Sequence, residues 1–286
     1  MSEAILFNSA TKSSIDLFLR SPASACALIG ARGSGKTFAG KYIAQKLIGG
    51  NIDANPNFIV LDAGLSGIEE VRLLQKKLTL SVPGTRPTKR VVLIEHFDSF
   101  GHEAQNALLK TLEEPPLDTV IIITVDHSAR VLETIYSRVR SLFVRPVTLS
   151  EATEAYEETY TPTSIEKAFR MSGGTVGLMS SLLASDESHE LVKAITKSRE
   201  ILSLPKHIRI AKIDSVSKDQ ALPTLVFLDG LTRLLEASYS QAIISRKPAS
   251  NLRVIHERVE FSLNAIADIE SGLNQKLALT RLFVAL

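Results

Sequence analysis

An α/β domain built around a mainly parallel sheet and continued by an all-α region is the fold class this 286-residue sequence predicts. Three observations predict it. Up to about residue 148, short apolar runs alternate with longer segments of helical period, the signature of strands joined through helices. The runs Val91-Val92-Leu93-Ile94 and Val120-Ile121-Ile122-Ile123 show no apolar/polar alternation, as β-branched strands covered on both faces require. Past Pro146 no β-branched run of comparable strength follows, and the periodicity becomes helical almost throughout.

The elements follow in order. Apolar runs predict strands at 25–30, 58–62, 90–95, 120–125 and 142–144, of which those holding 91–94 and 120–123 should be central. Between them the spacing predicts helices at 36–48, 67–78, 102–113 and 129–136. In the third of these Ala104, Leu108 and Leu112 recur at helical spacing, and Pro115-Pro116 ends it. A short bundle is expected over 150–184, with the Gly173-Gly174 pair separating two helices. A longer one runs from about 186 to 286, its buried stripes marked by Leu225, Leu228, Leu231, Leu235 and by Val254, Val259, Leu263, Ile266. Its breaks are expected at Pro205, Pro223, Pro248 and Gly272. This divides the chain into three parts, 1–148, 149–186 and 187–286. No solenoid repeat and no low-complexity tract interrupts them.

Composition narrows the function classes. With 44% hydrophobic and 22% charged residues the chain reads as soluble and globular. Its longest charge-free stretch, 171–185, falls short of the roughly 18 apolar residues of a membrane span. The start Met1-Ser2-Glu3-Ala4 carries an acid where a secretory signal carries basic residues, so a cytoplasmic protein with no membrane partner is expected. The single cysteine, Cys26, excludes an internal disulfide, zinc ribbons and iron–sulfur clusters, and reads as a small buried hydrophobe. A net charge of +2 does not by itself announce nucleic-acid binding, which needs clustered Lys and Arg.

One motif carries chemistry. Gly30-Ala31-Arg32-Gly33-Ser34-Gly35-Lys36-Thr37 fits the Walker A pattern and lies between an apolar strand and a helix. The glycines let backbone N–H groups curl around β- and γ-phosphates, the helix start adds its positive end, and Lys36 neutralises phosphate charge. Thr37 would ligate Mg²⁺. Hydrolysis also needs an acid for the magnesium shell and a group to position water, usually delivered by a second strand. That strand, 91–94, ends in Glu95-His96-Phe97-Asp98. Glu95 can reach a magnesium-bound water, although its extra methylene changes the geometry, whereas neutral His96 is a poor substitute for a carboxylate. Binding of ATP or ADP should therefore outlast hydrolysis.

The stretch from Glu103 to Pro116, with Asn106-Ala107-Leu108-Leu109-Lys110-Thr111-Leu112-Glu113-Glu114-Pro115-Pro116 inside it, resembles the long N-A-L-L-K-x-L-E-E-P-P box of bacterial sliding-clamp loaders, which are AAA+ ATPases. Thr134-Ile135-Tyr136-Ser137-Arg138-Val139 is similar to their T-I-x-S-R-C box, with Val139 in place of cysteine. Ser66-Gly67-Ile68-Glu69-Glu70-Val71-Arg72 and the Gly173-Gly174-Thr175-Val176-Gly177 turn also fit. Motor subunits of that loader usually carry an Asp-Glu pair after the second strand, four zinc cysteines and a lid arginine. Here Glu95-His96, Cys26 alone, and Val176 or Gly177 stand at those places. The resemblance is therefore to the delta-prime family of DNA polymerase III clamp-loader subunits, although an intact Walker A loop is kept by only some of its members.

The resemblance implies an AAA+ nucleotide-binding domain (1–148), a small helical lid (149–186) and a helical collar for oligomerisation (187–286). It implies Arg138 as an arginine finger for a neighbouring subunit, Glu95 as a degenerate Walker B acid, and Gly30, Arg32, Gly33, Ser34, Gly35, Lys36 and Thr37 around ATP or ADP. Mg²⁺ would sit by Thr37 and Glu95, and no zinc is implied. Thr124 is a sensor-1 candidate, with Val125 an equal alternative. The partners implied are other clamp-loader subunits, the sliding clamp and primer–template DNA. Asn106, Lys110 and Glu113-Glu114 suit an interface, a nucleotide relay or helix capping. The basic residues of 193–218 (Lys193, Lys197, Arg199, Lys206, Arg209, Lys212, Lys218) fit a solvated helix face better than a DNA contact. Two alternatives stay open: a catalytically competent motor-type ATPase in which Glu95, Asp98 or a water replaces the usual carboxylates, and a nucleotide-independent scaffold with a relic Walker A.

Overall fold

A computed structural model describes residues 6–80, 82 and 87–286, so the start Met1-Ser2-Glu3-Ala4 lies outside the described residues. The chain divides into two compact units, one running to Thr148 with Thr175–Gly177 added, the other made of Leu149–Gly174 and Leu178–Leu286.

The first unit runs α1 (Ser9–Arg20), β1 (Ala25–Ile29), α2 (Lys36–Ile48), β2 (Phe58–Asp62), α3 (Ile68–Leu78), β3 (Arg90–Glu95), α4 (His102–Glu113), β4 (Thr119–Val125), α5 (Glu133–Tyr136) and β5 (Arg140–Phe143). All neighbouring strands pair in parallel, in the order β2-β3-β4-β1-β5. Successive side chains leave a strand on opposite faces, and both faces are covered. Ala25, Ala27, Val92, Ile94, Ile121 and Ile123 pack with Val71, Leu74, Leu108 and Leu112 of α3 and α4. Their sequence neighbours Cys26, Leu28, Val91, Leu93, Val120 and Ile122 pack with Ile15 and Phe18 of α1 and Ala39 and Ile43 of α2. The absence of alternation in the apolar runs has this cause.

The expected strands and the helices at 36–48, 67–78 and 102–113 form within two residues of their anticipated ends. The helix expected at 129–136 does not. Ser128–Arg130 is a 3-10 turn and only α5 is helical, one turn long. Gln105, buried in α4, accepts from Leu132 N–H (3.0 Å) and donates to Arg130 C=O (2.9 Å), drawing those groups away from helical partners. Helix α1 was not anticipated, and it shields the β5 side of the sheet, where Thr11 Oγ1 donates to Phe143 C=O (3.2 Å).

The second unit is all-α: α6 (Leu149–Tyr156), α7 (Pro162–Ser172), α8 (Val176–Leu183, whose first turn clusters with the first unit), α9 (Glu190–Ser203), α10 (Lys206–Ala211), α11 (Ile213–Ser217), α12 (Thr224–Ile244), α13 (Ala249–Glu270) and α14 (Gln275–Ala285). Pro205, Pro223 and Pro248 each stand immediately before a helix, a place where the missing N–H costs nothing. Gly272 separates α13 from α14. The core gathers Leu191 and Ile195 of α9, Phe227, Leu228 and Leu231 of α12 and Leu279 and Phe283 of α14, with Phe227 and Phe283 edge to face at 6.3 Å. The stripes need correction. Leu228, Leu231 and Leu235 are buried but Leu225 only partly so, while Val254 and Leu263 are exposed. Helix α13 turns its small residues Ser262 and Ala265 inward, and the buried Thr232 and Ser262 hydroxyls share a hydrogen bond of 2.6 Å.

Candidate functional site

Parallel strands open their carboxyl ends at one edge, the usual place for ligands in such sheets. Because β4 lies between β1 and β3, the ends of these three strands are brought together. The Walker A loop leaves β1 and enters α2 through Gly33 (φ 78°) and Gly35 (φ 90°), left-handed positions that a side chain resists. Gly35 stands at the N-cap of α2 and has no side chain with which to cap it. Gly30 is needed for close approach, since a Cβ there would stand 2.6 Å from Val144 C=O.

Lys36 folds back into its own loop. Its Nζ donates to the carbonyls of Gly30 and Ala31, both at 2.8 Å, and meets Asp126 Oδ1 at 2.5 Å. Arg32 Nε approaches the other oxygen, Oδ2, at 3.6 Å. Burial alone would raise the Asp126 carboxyl, but Lys36, Arg32 and His96 together hold it below the ordinary range. Sequence reading missed Asp126. It follows β4 directly, yet its importance depends on β4 lying beside β1, which no local signal states.

At the end of β3, His96 sits in left-handed backbone (φ 51°), with its Nδ1 3.1 Å from Asp62 Oδ1 on β2. Its N–H donates to Thr124 Oγ1 at 2.9 Å, so the sensor-1 candidate ties β4 to β3. Val125, the alternative, accepts from Gly30 N–H at 3.2 Å through its backbone only. Glu95 ends β3 in register with Asp62 and is half-buried. Asp98 is buried and already engaged: its two oxygens accept the N–H groups of Asp126 and His127, both at 3.1 Å. This carboxylate fixes the turn that delivers Asp126 to Lys36, and any second role for it would cost both bonds.

The loop, Asp126, Glu95 and Thr37, half-buried one residue into α2, share that strand-end edge. Gly177, clustered with the same unit, lies against the loop: a Cβ there would stand 2.8 Å from the Gly33 carbonyl oxygen. A larger side chain at 177 is excluded in this arrangement. The donor set suits an anionic phosphate group, with Lys36 and Arg32 as cations, and a divalent ion bound through Thr37 and Glu95 fits the same chemistry.

Arg138 stands apart from that cluster, just beyond α5, and is partly exposed. Its guanidinium meets Glu113 at the end of α4, Nε donating to Oε1 at 2.6 Å and Nη2 pairing with the same oxygen. Among the basic residues of 193–218, Lys197 pairs with Asp219 at 2.5 Å and Arg209 is buried, while Lys193, Arg199, Lys206, Lys212 and Lys218 are solvent-exposed.

Comparison with known proteins gives a consistent picture. The family described as "DNA polymerase III, delta subunit" matches residues 3–148. The delta-prime subunit of DNA polymerase III from Bacillus subtilis is 34% identical over 89 residues, 31% of this chain and 27% of that protein. The replication factor C small subunit of Halobacterium salinarum is 33% identical over 110 residues, 38% of this chain and 33% of that protein. The matched region thus spans about a quarter to a third of these relatives. Among solved structures, a gamma subunit-related protein of DNA polymerase III from Thermotoga maritima superposes with a TM-score of 0.54 at 16% identity, covering 96% of this chain and 98% of that one. The Holliday junction branch migration motor RuvB of the same organism gives 0.52 at 16%, covering 96% and 87%. At such identity the structures speak for the fold alone.

Proposed function

The chain belongs to the DNA polymerase III delta-subunit family and is delta-prime-like, and on that premise we propose that it is a stator of a sliding-clamp loader. In this reading it joins other clamp-loader subunits, helps place the sliding clamp on primer–template DNA in the cytoplasm, and binds ATP or ADP with little turnover of its own. Residues 1–148 form its nucleotide-binding domain, 149–186 its lid and 187–286 its collar. Lys36 and Arg32 take the phosphates, and the loop amides of 33–37 surround them. Bound Mg²⁺ would neutralise phosphate charge beside Thr37 and Glu95. Arg138 serves the nucleotide of a neighbouring subunit in trans.

One observation carries weak turnover: the residue after Glu95 is a histidine held by Asp62, and the next carboxylate, Asp98, is committed to two backbone amides. Only Glu95 is left at the end of β3 to act on water or magnesium. For the collar, support comes from Val254, Phe261, Leu263 and Leu277, apolar side chains about half exposed on α13 and α14. Such surface fits burial against sister subunits.

The test is ATP hydrolysis by this chain alone and in a loader reconstituted with sister subunits, clamp and primed DNA. A silent lone chain, with Arg138→Ala crippling the assembly and Lys36→Ala barely affecting it, is the expected result. Turnover by the lone chain that Lys36→Ala abolishes would instead identify a motor-type ATPase. Failure of ATP–Mg²⁺ to protect the chain against heat would leave a scaffold whose loop is a relic.

A further inference from the structure

Glu113 closes α4 and Glu114 caps it, although the partial negative charge of a helix C-terminus disfavours acids. A residue kept against local preference marks a place where something other than helix stability decides. For Glu113 the counterpart is Arg138, 25 residues later, whose Nε and Nη2 both turn to its Oε1. The third guanidinium nitrogen, Nη1, donates to Thr134 C=O at 2.7 Å and to Ser137 Oγ at 3.0 Å. All three nitrogens therefore have acceptors within the chain. The Arg138 side chain is 29% exposed, yet its charge is compensated by the carboxylate beside it. A finger arginine works through charge offered to phosphate oxygens, and a near-neutral Arg–Glu couple offers little.

We propose that Glu113 is a gate on Arg138, holding the guanidinium at the end of α4 until the γ-phosphate of a neighbouring subunit takes the carboxylate's place. This rests on the reading of Arg138 as a finger and adds to it a positioning residue. The exchange substitutes one oxyanion for another on Nε and Nη2, so the arginine needs no new donors. Exposed pairs of this kind are weakly held, which lets a correctly seated phosphate win and leaves a misplaced one without its arginine. The gate also lies on the helix whose Gln105 fixes the segment leading to α5, so α4 governs both where Arg138 starts and what it is bound to.

The test uses the loader reconstituted from this chain and its sister subunits, with ATP as the probe, and compares wild type, Glu113→Gln, Arg138→Ala and the double variant. Glu113→Gln removes a charge that the helix end disfavours, so its melting temperature should not fall. It is expected to raise hydrolysis in the absence of DNA by roughly 3- to 10-fold, the effect of releasing a half-exposed ion pair, and the rise should vanish in the double variant. A merely structural contact would give a fall instead. If Glu113→Gln leaves DNA-free hydrolysis unchanged or lowers it while Arg138→Ala still cripples the loader, the gate is overturned and the finger stands. If Arg138→Ala has no effect, both readings fall together.

Discussion

Lys36 has four acceptors within the chain: the carbonyls of Gly30 and Ala31, the Ser34 hydroxyl at 3.5 Å and the carboxylate of Asp126. Phosphate must displace that carboxylate from the ammonium or bind beside it, and either course costs affinity. Asp126→Asn is therefore expected to tighten ATP binding by about tenfold, ~1.4 kcal/mol, as read by titration calorimetry; weaker binding would show that Asp126 instead prepares Lys36. The same pair sets an acid limb of stability. Because the folded Asp126 carboxyl is held below its unfolded value, its contribution is complete above about pH 4 and is lost as pH falls further. Asp126→Asn should flatten urea-unfolding stability below about pH 4 and leave the pH 6–8 range unchanged in slope. Single positions could be named as candidates where a motif fixes them, as with Lys36, Thr37 and Arg138. They were not legible where the partner comes from a distant strand, as with Asp126 and the Asp62–His96 pair. Cys26 was read correctly as buried: its thiol is pushed up to about 12 by burial, Arg140 opposing weakly.

Helix α12 crosses α9 where Gly230 faces Ala194, and a Cβ at 230 would lie 2.5 Å from the Ala194 Cβ and 2.8 Å from its backbone carbonyl carbon. In an isolated helix Gly→Ala stabilises by about 1 kcal/mol. Here the sign should reverse. Gly230→Ala is expected to destabilise the helical unit by roughly 1–3 kcal/mol, seen as a lower denaturant midpoint; a gain would mean that the two helices separate freely. Element ends were legible where proline or glycine punctuates the chain, because those residues act through their own backbone. The stretch at 129–136 was misjudged because its helical period is overruled by Gln105, a side chain from another element. Arg90 is a comparable case. It opens β3, yet its buried guanidinium donates to the carbonyls of Lys77 at 3.3 Å, Leu78 at 3.1 Å and Leu80, closing the end of α3. Nothing in the strand pattern signals that a side chain there caps a helix.

At the scale of the molecule, the two compact units have separate cores, and the candidate phosphate site lies in the first. Saturating ATP–Mg²⁺ at about 100 times its Kd should add ~2.7 kcal/mol to the unfolding free energy of that unit. Slower hydrogen exchange of β1 and α2 amides would report it, and Lys36→Ala should abolish it; equal exchange with and without nucleotide would speak for a relic loop. The sequence by itself determined the α/β-then-helical order, the central strands, the helix breaks and the Walker loop, because each is encoded by neighbouring residues through periodicity, β-branching or backbone restriction. The tertiary structure alone decided that β4 stands between β1 and β3, and hence that Asp126 meets Lys36 and Thr124 meets His96. It also decided that α13 buries serine and alanine while Val254 and Leu263 face outward. Strand order and helix facing follow from which surfaces fill one another's space, and that is a property of the whole packed chain rather than of any segment in it.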